Sequence, residues 1–145
     1  FLERGAILVI DYGFPEREFF HPQRSMGTLA CHYRHRVHGD PFYLPGLQDI
    51  TAHVDFSALA RAAAEAGLEV LGYASQARFL VNCGITDLLA EENPADAKRY
   101  LPAAAAAQKL LSPAEMGELF KVLAVGRGIE APLLGFSSGD RSHAL

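Results

Sequence analysis

An α/β fold is what the sequence predicts, and three observations carry it. Gly5 to Asp11 is a continuous apolar run ending in an acid. Apolar on both parities, it reads as a strand covered on both faces of a sheet. Ala58 to Ala66 reads as a helix that Gly67 ends, and Leu68 to Tyr73 follows at once as a second short strand. Strand, long connection, helix and strand is the succession of an α/β unit. At 145 residues the chain is the size of one domain.

Composition narrows the functions. Hydrophobic residues make up 50% and charged residues 21%, a globular composition. A net charge of -4 excludes a general nucleic-acid binder, because phosphate backbones demand clustered Lys and Arg. No apolar run approaches the roughly 20 residues of a membrane span, so no membrane partner is expected. Cys31 and Cys83 form no CxxC pair and read as free thiols, which suits a reducing compartment. One region departs from the acidic average: between Phe19 and Gly39 lie Arg24, Arg34, Arg36 and four histidines, without Asp or Glu. It is either a solvated loop face or a surface that meets an anion.

Asp11 ends the first strand, where open α/β sheets place their ligands, and Tyr12-Gly13 follows. It is a site candidate, or else a turn residue before Gly13. Residues 14–48 show no sustained period and read as a long connection, a class that is functional or disordered. Pro45 to Phe56, PGLQDITAHVDF, ends it with two carboxylates and no Lys or Arg. From Asp49 the residues alternate: Asp49, Thr51, His53 and Asp55 on one parity, Ile50, Ala52, Val54 and Phe56 on the other. An extended segment of that kind buries one face and presents polar groups on the other. Asp55 and Ser57 are also N-cap candidates for the helix.

Residues 76–117 read as a helical insertion. Gln76 to Val81 gives one or two helical turns closed by Gly84; Asn93-Pro94 supplies a cap and a first-turn proline; Pro102 starts a second helix; Ser112-Pro-Ala-Glu115 fits a capping box. Glu118 to Val125 returns to a strand, and the tail from Gly135 is expected to be loose.

Two motifs are set aside. Gly126-Arg-Gly-Ile-Glu-Ala131 matches a dinucleotide pattern, but Pro132 follows and the chain ends at Leu145 with no room for a βαβ unit. Cys31, His32, His35 and His38 lie near Asp40, but their spacing is not that of separated zinc-ligand pairs, and Arg34 and Arg36 would sit against the metal. No metal is expected. No G-x-S-x-G occurs, so hydrolase chemistry lacks support.

Taken in order, GAILVIDYG, Arg24 with Gly27-Thr28-Leu29, His35-Arg36, PGLQDITAHVDF, Gln76 to Leu80 with Gly84-Ile85, Met116-Gly117 and FKVLAVGRG resemble the MidA-type methyltransferases. That family includes the mitochondrial protein arginine methyltransferase needed for assembly of respiratory complex I. The resemblance implies a class I, Rossmann-like fold dependent on S-adenosylmethionine, with Ala6 to Asp11 as the fifth strand, Leu68 to Tyr73 as the sixth, and Phe120 to Val125 as an antiparallel seventh between them. It also implies that residues 1–145 are the C-terminal part of one methyltransferase domain. The glycine-rich cofactor loop lies upstream, and the chain is inactive without it. The resemblance points to a protein substrate and to the bacterial cytoplasm or, in a eukaryote, the mitochondrial matrix.

If the acceptor is a guanidinium, it wants carboxylates for bidentate pairing and a base for the proton it loses. Asp11, Asp49, His53 and His35 are the catalytic candidates; Arg24, Thr51, Asp55 and Tyr12 are the substrate-side candidates. Arg24 is also a candidate partner for the carboxylates, holding the long loop over the site. The alternative is a non-catalytic assembly or docking module that binds a protein partner through the long loop. The open edge of the first strand invites association, a homodimer among the outcomes.

Overall fold

The computed structural model describes residues 2–145. Strands β1 (Gly5–Phe14), β5 (Val54–Asp55), β6 (Glu69–Ser75) and β7 (Phe120–Arg127) form one sheet in the order β5-β1-β7-β6. β5 is parallel to β1, while β7 is antiparallel to both β1 and β6. β1 and β6 therefore run the same way with the last strand inserted between them, as expected.

Helices cover both faces. On one face, α2 (Phe56–Glu65) places Phe56 and Ala63 against Tyr73, Leu123 and Val125, with Val9, Val54 and Leu68 at the margin. Asp55 caps this helix, its Oδ1 accepting from Ala58 N at 3.0 Å, and Gly67 ends it at φ +74°. On the other face Phe136, Phe79, Leu71 and Leu133 pack on Ala74, Val122 and Ala124. Complete burial of Phe56 contributes about 2 kcal/mol, which ties the helix start to the sheet.

β1 differs from the expectation of a strand covered on both faces. Ile7, Leu8 and Ile10 are 46–48% exposed. Leu8 and Ile10 oppose Ala124 and Val122 on the second face, but the packing there stops short of β1. β5 pairs only with Gly13 and Phe14, so β1 is paired along one side alone from Gly5 to Tyr12.

The long connection is ordered. After the short helix α1 (Glu16–Phe19), strands β2 (Ala30–Tyr33), β3 (Arg36–His38) and β4 (Asp49–Thr51) form a second, antiparallel sheet in the order β3-β2-β4. Their three or four residues carry no sustained alternation, so periodicity does not reveal them. The alternation from Asp49 to Phe56 also fails to be one strand: regular pairing breaks at Ala52 and His53, and Ile50 and Ala52 are exposed. Only Val54 and Phe56 of the apolar parity join the core.

The insertion contains α3 (Gln76–Asn82), α4 (Ile85–Ala90) and α5 (Ala97–Leu111). Asn93 closes a local turn, its Oδ1 accepting from Ala95 N, and Asp96 occupies the N-cap position of α5. Pro102 lies inside α5 rather than starting it. Ser112 ends α5, and Glu115 N and Gly117 N both return to Ser112 O in turns rather than in a capped helix. The tail is not loose: Phe136 is buried, Asp140 Oδ1 accepts from Tyr73 N at 2.9 Å, and Arg141 N donates to Tyr73 O at 2.7 Å. The tail thus closes the outer edge of β6, leaving β1 as the open side of the sheet.

Candidate active site at the carboxyl end of the first strand

Three strand ends meet at one edge of the sheet. Asp11 opposes Lys121, which opposes Ser75, and Tyr12 opposes Phe120. Because β7 is antiparallel to its neighbours, its first residues fall beside the last residues of β1 and β6. The long connection and the turn before β5 close over this edge, bringing Arg24, Thr28 and His53.

His53 is the centre of the group. Its ring stacks on Phe14 at 5.0 Å between centroids and meets the edge of Tyr12 at 5.4 Å, while Tyr12 in turn meets Phe120 at 5.5 Å. The backbone N–H of His53 donates to Thr28 Oγ1 at 3.1 Å, fixing the turn. Its Nδ1 is buried and has no hydrogen-bond partner among the described residues. Burial lowers the imidazole pKa below its ordinary 6.5; a hydrogen bond with the Thr28 backbone opposes this, the Arg24 charge adds to it, Asp11 opposes it and Lys121 adds to it. The ring is consequently neutral at pH 7 with one nitrogen unused.

The cations around it are already engaged. The Arg24 guanidinium lies 4.0 Å from the Phe14 ring centroid, and its Nη1 donates to Glu18 O. Arg24 does hold the loop at the site, but through a ring and a carbonyl rather than the expected carboxylates. Lys121 is 7% exposed and donates to Glu118 O; burial lowers its pKa, against the charges of Glu118 and Glu18. Asp11 accepts from Tyr12 N at 2.8 Å through Oδ1.

Asp11, Tyr12, Arg24 and His53 are therefore gathered in one place. The other sequence candidates are not. Asp55, although opposite Phe14, spends its carboxylate on the cap of α2. Asp49 is exposed on β4 opposite His32, and Thr51 Oγ1 donates to Ala30 O at 3.3 Å in the second sheet. His35 sits exposed in the β2–β3 turn at φ +64°. Phe14, Thr28, Phe120 and Lys121 complete the site and were not among the candidates. Lys121 had a signal, the single charge in the otherwise apolar FKVLAV; the aromatic residues had none beyond position.

Neither glycine turn at a strand end offers a nucleotide cradle. A Cβ on Gly13 would lie 2.2 Å from Val54 O, and one on Gly126 would lie 2.5 Å from Gly5 O. Both glycines are needed for strands to approach each other, not for a ligand to approach them. Gly128, at φ +65°, turns the chain with no helix after it. The described residues also contain no group of three His, Cys, Asp or Glu side chains able to hold a metal. In the β2–β3 hairpin Cys31 opposes His38, whereas His32, one residue on, belongs to the other face.

A mixed sheet with β7 antiparallel between β1 and β6, helices on both faces and a polar group at the carboxyl end of β1 defines part of a Rossmann-like methyltransferase fold. Known proteins agree. Residues 1–74 match the family described as "Putative S-adenosyl-L-methionine-dependent methyltransferase", and the chain belongs to that family. A Burkholderia thailandensis protein, described as a methyl transferase candidate and solved with S-adenosyl-homocysteine, superimposes with a TM-score of 0.96 at 65% identity, over 99% of this chain and 37% of that one. The mitochondrial protein arginine methyltransferase NDUFAF7 of Mus musculus is 36% identical over 125 residues, 83% of this chain and 26% of the mouse protein. Its Drosophila melanogaster homolog is 31% identical over 144 residues, covering 30% of its length. The chain thus spans between 26% and 37% of the length of these relatives.

Proposed function

We propose that the intact protein containing this chain is an S-adenosylmethionine-dependent protein arginine methyltransferase, and that this chain supplies its acceptor side. The observation that carries the proposal is the His53 ring held against Tyr12 and Phe14, with Nδ1 buried and without a partner among the described residues. Family membership and the arginine methyltransferase relatives support the reaction class. The methyl donor's site is assigned to residues outside this chain, because both strand-end glycines here are taken up by packing.

A guanidinium acceptor is a planar cation, and Asp11, at the end of β1 and near enough for its charge to act on His53, is the carboxylate that would hold one. Tyr12 and Phe120 form aromatic walls against which a guanidinium stacks, the Phe14 ring being already taken by His53 and Arg24. When the acceptor nitrogen gains a methyl group it releases one proton, so that the methylated guanidinium keeps its single positive charge. His53 Nδ1 takes that proton. Its lowered pKa keeps the ring neutral beforehand, and Arg24 and Lys121 favour passing the proton onward to solvent. The mitochondrial relatives support a mitochondrial location for a eukaryotic protein of this kind; no helix among the described residues is long and apolar enough to cross a membrane.

Titrating the 145-residue chain with S-adenosylmethionine by calorimetry tests the division of labour. No binding in the micromolar range is expected. Micromolar binding by this chain alone would contradict it.

A further inference from the structure

The second sheet contains a cavity that the methyl-transfer reading does not use. It measures about 680 Å³ and is lined by Tyr33, Arg34, Arg36, His38, Asp40 and Tyr43 among others. From this arm, the sheet of β2, β3 and β4 with the turns around it, we infer a docking site for an extended acidic segment of a polypeptide, separate from the strand-end site and independent of whether that site transfers methyl groups.

Three features define the ligand. Arg34 and Arg36 form no ion pair among the described residues, and the one acid in the lining, Asp40, already accepts from Phe42 N at 2.9 Å. Two guanidinium groups against one carboxylate leave the lining with an excess of positive charge that favours an anionic ligand, and their planar donors suit carboxylates. His38 adds a donor: its Nδ1 accepts from Asp40 N at 3.3 Å, so the neutral ring carries its proton on Nε2, which is buried without a partner. Tyr43 meets the edges of both Tyr33 and His38, at 6.1 and 5.2 Å, and gives the cavity an aromatic wall.

The extended, peptide character follows from the edge of the sheet. β3 is the end strand of the order β3-β2-β4, and Val37 is 67% exposed. Tyr33 and Arg36 close the two-residue turn, so Val37, opposite His32, occupies the next, non-hydrogen-bonded pair. Its N–H and C=O consequently face outward, beside the arginines. An extended chain added there pairs through its backbone and presents alternate side chains to the cavity.

The hairpin tip makes the idea testable without a folding confound. Arg34 and His35 occupy the two turn positions at φ +48° and +64°, a conformation that glycine adopts at no steric cost. Arg34→Gly therefore removes the charge while relaxing the backbone. The experiment is fluorescence anisotropy on the intact protein with a labelled alternating Glu-Val peptide, a Lys-Val peptide as control, and inorganic phosphate as competitor. Wild type is expected to bind the acidic peptide and not the basic one. Arg34→Gly and Arg36→Gln are each expected to weaken binding at least tenfold with Tm unchanged or, for Arg34→Gly, raised. Equal binding of the two peptides, full affinity in Arg34→Gly, or displacement by phosphate at peptide concentrations would overturn the proposal. So would sedimentation showing that the arm is covered by a second copy of the chain.

Discussion

His53 lies on the ring of Phe14, with centroids 5.0 Å apart and 27° between the planes. The same ring has the Arg24 guanidinium 4.0 Å from its centroid, so a neutral imidazole and a fixed cation share one aromatic support. Asp11 acts on that imidazole in the opposite sense. Burial is the largest cause of the lowered proton affinity of that imidazole, and the two charges adjust it in opposite senses.

Changing either charge is expected to move His53 in opposite directions. Arg24→Gln removes a cation and raises the His53 pKa; Asp11→Asn removes an anion and lowers it further. NMR titration of the His53 ring protons in the intact protein reads both. Shifts in the same direction would contradict the assignment of these neighbours. The sign carries over to stability. As pH falls below 6.5 the unfolded chain binds a proton that the folded ring still refuses, so stability is fully present above 6.5 and declines below it, until pH passes the lower folded value. His53→Asn is expected to flatten that slope in denaturant unfolding.

Gly13→Ala is expected to destabilise by about 1–3 kcal/mol or more, because its Cβ would lie 2.2 Å from Val54 O and 2.9 Å from Phe56 Cε2. Gly27→Ala, at φ +75° with nothing within 4 Å, is expected to cost only about 1–2 kcal/mol of backbone strain. Chemical denaturation of the pair separates packing from conformation. A larger effect at Gly27 would be inconsistent with the tight approach of β1 and β5.

How much of this was legible in the sequence depended on range. β1, β6 and β7 were legible because each is a run of apolar residues, although β1 is half exposed rather than covered on both faces, and Asp55 was legible as a cap because capping is a contact three residues long. His53 was legible through its place in the alternating segment. Asp49, in the same segment, was not distinguished from it, because the strand breaks at Ala52 and His53 and the polar row never lies on one face. The arm was missed because β2, β3 and β4 are held by pairing across up to 21 positions, such as Ala30 with Thr51, rather than by periodicity. The tail was missed for the same reason: Asp140 acts on Tyr73, 67 positions away.

That tail contact yields a further test. Asp140 Oδ1 accepts from Tyr73 N, Ser142 N and Ser142 Oγ. Although burial raises its pKa, these hydrogen bonds together outweigh it and hold the carboxyl below 3.8. Asp140→Ala is expected to cost about 1.5–3 kcal/mol and to speed hydrogen exchange at Tyr73 N–H. Unchanged exchange would mean that the tail does not close the edge of β6.

The opposite edge makes a complementary prediction. With Gly5 to Tyr12 paired on one side only and Ile7, Leu8 and Ile10 about half exposed, the 145-residue chain is expected to self-associate as concentration rises. Ile10→Lys is expected to reduce that association in sedimentation velocity. A monodisperse wild-type monomer would contradict the reading of β1 as an interior strand of a larger sheet.

In the proposed reaction His53 accepts the proton that the acceptor nitrogen releases on methylation. Single-turnover methyl transfer to a protein acceptor by the intact protein, wild type against His53→Asn, tests it most directly when calorimetry follows S-adenosylmethionine in parallel. The rate is expected to fall by about 10²–10⁴ with donor affinity unchanged. A wild-type rate in His53→Asn, or a loss confined to donor affinity, would contradict it.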